Sequence, residues 1–166
     1  SQCFRPDRGL FSDSPVADLF SQPTNVQAVI AGAAPDGNEQ AVIDRLLSEP
    51  DLIPMELYFR FYFARALVKA GLAERYVSQL EPWRGLARLG MTSFGEWTEN
   101  PRSDCHAWST SPAYDLLHTV CGIQSAAPGF RAVSIEPALG GLMRVKGGLE
   151  HPKGRIEVEF EQHSAD

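Results

Sequence analysis

The order of sequence patterns predicts a mainly α-helical chain that ends in an antiparallel β segment. Three observations carry this. Apolar residues recur at helical spacing through the first two thirds of the chain. One stretch, "PMELYFRFYFARALVKAGL", is apolar almost all round. After Pro128 the pattern changes to strand-like runs bounded by glycines. Helices first and strands afterwards is an α+β order.

The opening "CFRPDRGLFSDSP" mixes turn formers and apolar residues without a period and reads as an ordered loop. A helix is predicted from about Thr24 to Ala31, with Val26, Val29 and Ile30 on one face. Another restarts after the Pro35-Asp36-Gly37 turn and turns Ala41, Val42, Leu46 and Leu47 inward. The stretch from Met55 to Ala70 is the strongest helix, with Gly71 as its cap. Leu57, Phe59, Phe61, Tyr62, Phe63, Ala66 and Leu67 make it apolar on more than one side. "AERYVSQLEPWRGLARLG" gives two helical pieces split near Pro82, and a last helix fits Tyr114 to Cys121. Of the strand-like runs, "GRIEVEFEQ" alternates strictly, with Ile156, Val158 and Phe160 on one face and charges on the other. Three such strands form too small a sheet to stand unaided, and the 55–70 helix has more apolar surface than its neighbours cover. Both features point to a piece of a larger assembly.

The 166 residues suffice for a real core, and 43% hydrophobic with 22% charged residues is an ordinary globular balance. A net charge of -6 argues against binding a phosphate backbone, so no nucleic-acid partner is expected. No run approaches the ~20 apolar residues of a membrane span. Ser1 opens no charged-then-apolar leader, so no signal peptide is expected. Cys3, Cys105 and Cys121 are odd in number and lack a Cys-x-x-Cys pair, so they read as buried free thiols, compatible with the cytoplasm. No metal or other cofactor is expected.

The chemistry concentrates in "TSFGEWTENPRSDCHAWSTSPAYDLLHTVCGI", Thr92 to Ile123. Glu96 sits between Gly95, which lets the backbone bend, and Trp97, an apolar wall with one polar edge. Against such a wall a carboxyl is pushed up toward general acid–base work. His106 follows, between Asp104 and Trp108, able to bond a hydroxyl in either direction. Aromatic walls with Glu, Asp and His suit the flat C–H faces and radial hydroxyls of a sugar. The plainer readings are a solvated loop glutamate, a structural histidine, and core positions for Trp83, Trp97 and Trp108. Residue chemistry alone leaves both open. Asp115 and His118, three apart, read as a solvated helix face rather than a metal pair, and no Gly-x-Gly-x-x-Gly supports nucleotide binding.

Four segments, "LYFRFYFARALVKAGL", "PWRGLARLGMTSFGEW", "SDCHAWSTSPAYDLLHTVCGI" and "PGFRAVSIEPALGGL", occur in an order that resembles the C-terminal third of the bacterial α-L-rhamnosidases. The Thr-x-x-x-Glu-Trp and Cys-His-Ala-Trp-Ser pieces are the most specific. The resemblance implies part of an (α/α)6 six-hairpin toroid over residues 1–126 and the start of a β-sandwich over 127–166. It implies hydrolysis of α-L-rhamnosyl bonds with inversion, by two carboxyl groups about 6.5–9.5 Å apart. The family's base motif falls on Glu96 and its sugar-contacting histidine on His106. Trp97, Trp108 and Asp104 are implied as further substrate-binding residues. The general acid lies upstream of anything in this sequence. The implied partners are therefore a rhamnosylated glycoside or oligosaccharide and the missing N-terminal part of the same enzyme, and the chain alone is expected to be inactive. The alternative is a non-catalytic carbohydrate-binding or structural module.

Overall fold

Local capping rules set where the helices begin and end in a computed structural model that describes residues 2–163. The Ser21 hydroxyl accepts from the Thr24 amide at 3.3 Å and Pro23 sits in the first turn, so the first helix, α1, runs Gln22–Ile30. Asn38 caps α2, Glu39–Ser48, through the Ala41 amide. A 3-10 turn at Leu57–Phe59 leads into α3, Arg60–Lys69, which ends as predicted at Gly71, with φ of 69°. A 3-10 stretch, Ala73–Leu80, runs into α4, Glu81–Arg88, with Pro82 in its first turn. The last helix, α5, is Ser111–Asp115, continued by a π-helical turn at Leu116–Val120. It starts three residues before the predicted Tyr114, because Pro112 fits a first turn.

Alternate helices pack on one another: α1 lies on α2 and α3, α3 lies on α5, and the Ala73–Leu80 stretch lies on α3 and the π turn. Val26, Val29, Val42, Ile43, Leu46, Phe63 and Leu67 form the centre of this layer. Within α2 the inward face is Val42, Ile43 and Leu46; Ala41 and Leu47 are exposed, contrary to expectation, because the face turns one residue further round. The expected all-round burial of α3 is also partial: Phe63, Ala66 and Leu67 are buried, whereas Phe61 and Tyr62 are exposed. Among the described residues no helix is long and apolar enough to cross a membrane.

The N-terminal loop carries a two-residue antiparallel pair, Phe4–Arg5 (β1) with Leu10–Phe11 (β2). Buried Asn25 of α1 holds it. Its side-chain oxygen accepts from Phe11 N at 2.8 Å, and its amide donates to Phe11 O and Ser21 O.

The C-terminal strands do not join into one sheet as expected. β3, Ile123–Ser125, pairs with β4, Val133–Ile135, and β5, Arg144–Leu149, pairs with β6, Ile156–Glu161. Such two-stranded ribbons are marginal alone. They gain support from close backbone approach to the helices. A Cβ on Gly147 would lie 2.4 Å from the Cys121 sulfur, and one on Gly140 would lie 2.8 Å from the Val77 side chain. Ile156, Val158 and Phe160 share the core-facing side of β6, as their alternation predicts. Of the cysteines, Cys121 is buried, whereas Cys105, expected inside, is exposed in the loop before α5.

Gly122, at the join of the two parts, has φ of 68°, and a Cβ there would sit 2.2 Å from the Glu136 carbonyl carbon. Gly122→Ala is therefore expected to destabilise the chain by more than about 3 kcal/mol, since it adds left-handed strain to backbone overlap. Gly37, with the same sign of φ and open space around it, serves as control. Gly37→Ala is expected to cost about 1 kcal/mol. Urea unfolding midpoints measure both.

Candidate functional site

The loop between α4 and α5 folds back on itself. The Glu96 amide donates to Ser103 O at 2.9 Å and the His106 amide to Phe94 O at 2.6 Å, while the Ser93 hydroxyl bonds Asp104 O. The reversal is made at Asn100, with φ of 46°, followed by Pro101. Gly95 does not bend the backbone through a positive φ, as its sequence position suggested. Its place is tight instead: a Cβ would come 3.0 Å from Met91 Cε and 3.3 Å from Trp97 O, contacts that a few tenths of an ångström of give would relieve.

This pairing brings Glu96, Trp97, Arg102 and His106 together. Glu96 is only 7% exposed and so is not a solvated loop residue. Arg102 Nε donates to Glu96 Oε2 at 3.1 Å and Arg102 Nη2 to Oε1. The guanidinium carbon stands 4.7 Å from the Trp97 ring centre. Hydrogen bonding from Arg102 outweighs burial and, with the charges of Arg102 and His106, holds the Glu96 carboxyl below the usual carboxylate range. That reverses the direction expected from an apolar wall, because the indole meets the carboxylate's counter-ion. Sequence reading missed Arg102; its place after the Asn100-Pro101 turn was the available signal.

Trp97 and Trp108 do not share a cleft. Trp97 lines one of about 700 Å³ with Arg60, Glu56 and Glu99. Trp108 lines another of about 400 Å³ with Tyr58, Phe61, Tyr62 and Tyr114. Trp108 is 74% exposed, so it is no core residue; its ring meets His106 edge-on at 6.2 Å and Tyr58 at 5.9 Å. His106 is half-buried between Glu96 and this aromatic cleft, whereas Asp104 is exposed. Trp83 is half-buried and donates from Nε1 to Ser109 O at 2.7 Å. Among the described residues no three His, Cys, Asp or Glu side chains are grouped to hold a metal.

Asp115 and His118 do not form the solvated face that their spacing suggested. Asp115 is fully buried and ion-paired with Arg65, whose guanidinium lies over the Phe61 and Tyr114 rings. The Tyr76 hydroxyl lies beside this carboxyl without meeting hydrogen-bond geometry. Burial lifts Asp115 to about 6 against the pull of Arg65. His118 stacks on Tyr114 at 5.0 Å, and burial lowers its basicity. The aromatic side chains that Arg65 covers, Phe61 and Tyr114, are also walls of the Trp108 cleft, so this ion pair packs against the cleft's walls.

Residues 122–166 match the family model described as the bacterial alpha-L-rhamnosidase C-terminal domain. Among solved structures, a GH78 family rhamnosidase of Bacillus sp. GL1 matches with a TM-score of 0.85 and 27% identity over 98% of this chain. The match takes in 19% of that enzyme, so the chain spans about a fifth of its length. No curated protein matches the chain.

Asp115 is more basic in the folded chain than in an unfolded one, so its protonated form favours folding. Its contribution is complete below the unfolded value of 3.8 and is lost as pH rises through about 6. The stability of the wild type relative to Asp115→Asn is expected to fall by on the order of 2 kcal/mol between about pH 4 and pH 7. Urea unfolding of both proteins across that range measures it.

Proposed function

We propose, from the premise that this chain is related to the C-terminal region of the GH78 rhamnosidases, that it completes the catalytic domain of an enzyme that hydrolyses terminal α-L-rhamnosyl bonds with inversion. Its helices would be the closing hairpins of an (α/α)6 six-hairpin toroid, and its strands the start of the β-sandwich that follows. The packing of α1, α3 and α5 in succession supports this. The assignment of residues 1–126 to the first part and 127–166 to the second goes with it, although the β3–β4 pairing favours a join nearer Gly122.

Glu96 is proposed as the general base. The observation that carries this is a nearly buried carboxylate held by Arg102 beside a histidine whose ring meets Trp108. A general base must be deprotonated to accept a proton, and the Arg102 bonds favour that form. In an inverting step Glu96 takes a proton from water as the water oxygen bonds the anomeric carbon, and the bond to the leaving oxygen breaks. A carboxylic acid from the preceding part of the barrel would protonate that oxygen. His106 is assigned to sugar hydroxyls, Trp97 and Trp108 to apolar contact, and Asp104 to the rim. One carboxylate cannot perform both proton transfers, so the chain by itself is expected to be inactive. The substrate would be a rhamnosylated glycoside or oligosaccharide.

The separation of the Trp97 and Trp108 clefts favours a second reading, in which the aromatic cleft only holds a sugar. Glu96→Gln in the complete enzyme separates the two. The catalytic reading expects a loss of about 10²–10⁴-fold in kcat with unfolding unchanged. Turnover near the wild-type rate would remove Glu96 from the reaction and leave the binding role.

A further inference from the structure

Arg102 bonds Glu96 through its side chain, and the geometry of those bonds does more than supply charge. Its two bonds to the carboxylate are a fork, one donor to each oxygen. Such bidentate pairs fix the plane of the carboxylate as well as its charge. The partners differ in setting: the Arg102 side chain is 72% exposed and the Glu96 side chain 9%. The carboxylate is thus the charge whose loss of water needs compensation, and the guanidinium reaches in from solvent to supply it.

Two features keep the fork from being a chance surface pair. The Trp97 ring supports the guanidinium at 4.7 Å, a cation–π contact that limits its swing. The backbone pairing of Glu96 with Ser103 then puts Arg102, one residue earlier, alongside the carboxylate. The charged groups acting on Glu96 are Arg102 and His106. Glu99 and Asp104, the other acids of the loop, are exposed, and neither is ion-paired with Arg102.

We propose that Arg102 is a positioning residue for Glu96: its guanidinium, braced on Trp97, fixes the plane and direction of the carboxylate. This rests on the reading of Glu96 as the base. A carboxylate offers about four acceptor sites on its two oxygens. The fork uses one on each oxygen and leaves one on each, so a water can still be bonded and deprotonated. Lysine in place of Arg102 would keep a point charge and lose the fork.

The test is a side-chain carboxyl NMR titration of Glu96 in this chain, in the wild type, Arg102→Gln and Arg102→Lys. In the wild type the midpoint is expected below the ordinary glutamate value of about 4.3. In Arg102→Gln it is expected to rise to or above that value, since burial then acts unopposed by the fork. Arg102→Lys is expected in between. The backbone amide spectra of α1 and α3 report that each variant is folded. If Arg102→Gln does not fold, Arg102→Lys reads the same point, because loss of the fork alone lifts the midpoint. An unchanged midpoint in either folded variant overturns the proposal. The assignment of the base is decided separately by turnover of Glu96→Gln, so the two can fail independently.

Discussion

Two backbone hydrogen bonds hold the candidate site together, from the Glu96 amide to Ser103 O and from the His106 amide to Phe94 O. Without them the segment between α4 and α5 would be an open loop, and its acids would be solvated singly. With them, a carboxylate, an imidazole, an indole and a guanidinium from a short stretch of chain are fixed side by side. The turn at Asn100 and Pro101 makes the reversal. A loop this short places its side chains by its own backbone, with little help from the rest of the fold.

Two buried carboxyls show how environment divides labour within one small chain. Glu96 is pulled down by the fork from Arg102, and Asp115 is lifted to about 6 by burial even though Arg65 opposes it. The difference lies in solvent access and bonding. Glu96 receives a donor on each oxygen, whereas Asp115 lies between α3, α5 and the 73–80 stretch with one oxygen unpartnered. A group of the first kind stays ionised and free to accept a proton, and one of the second kind fixes packing. The π turn after Asp115 sits where these helices meet the β part, and Gly122, Gly140 and Gly147 let backbone and helix approach there.

Much of the helical layer was legible in the sequence because its signals are local. Gly71 ends α3 by its positive φ, Pro82 starts α4, and apolar spacing marks the inner face of α1. The alternation of β6 was legible for the same reason. What failed depends on contacts between distant residues. β3 pairs with β4 across a turn and carries too few residues to show a period, so it was hidden behind the last helix. Asn25 looks like an ordinary polar helix residue until Phe11 arrives to satisfy it. Asp115 looks like half of a solvated pair until Arg65, fifty residues away, is folded over it. At the site, Glu96, His106 and the tryptophans stood out as residue types. The sign of the Glu96 shift did not, because it is set by the side chain of Arg102 and not by the neighbouring indole.

The most direct test of the account is a crystal structure of the complete enzyme with L-rhamnose bound. The account expects His106 on a sugar hydroxyl, an indole against the ring, and the Glu96 carboxylate in reach of a water facing the anomeric carbon, opposite the leaving-group side. A sugar bound remote from both Glu96 and His106 would contradict it.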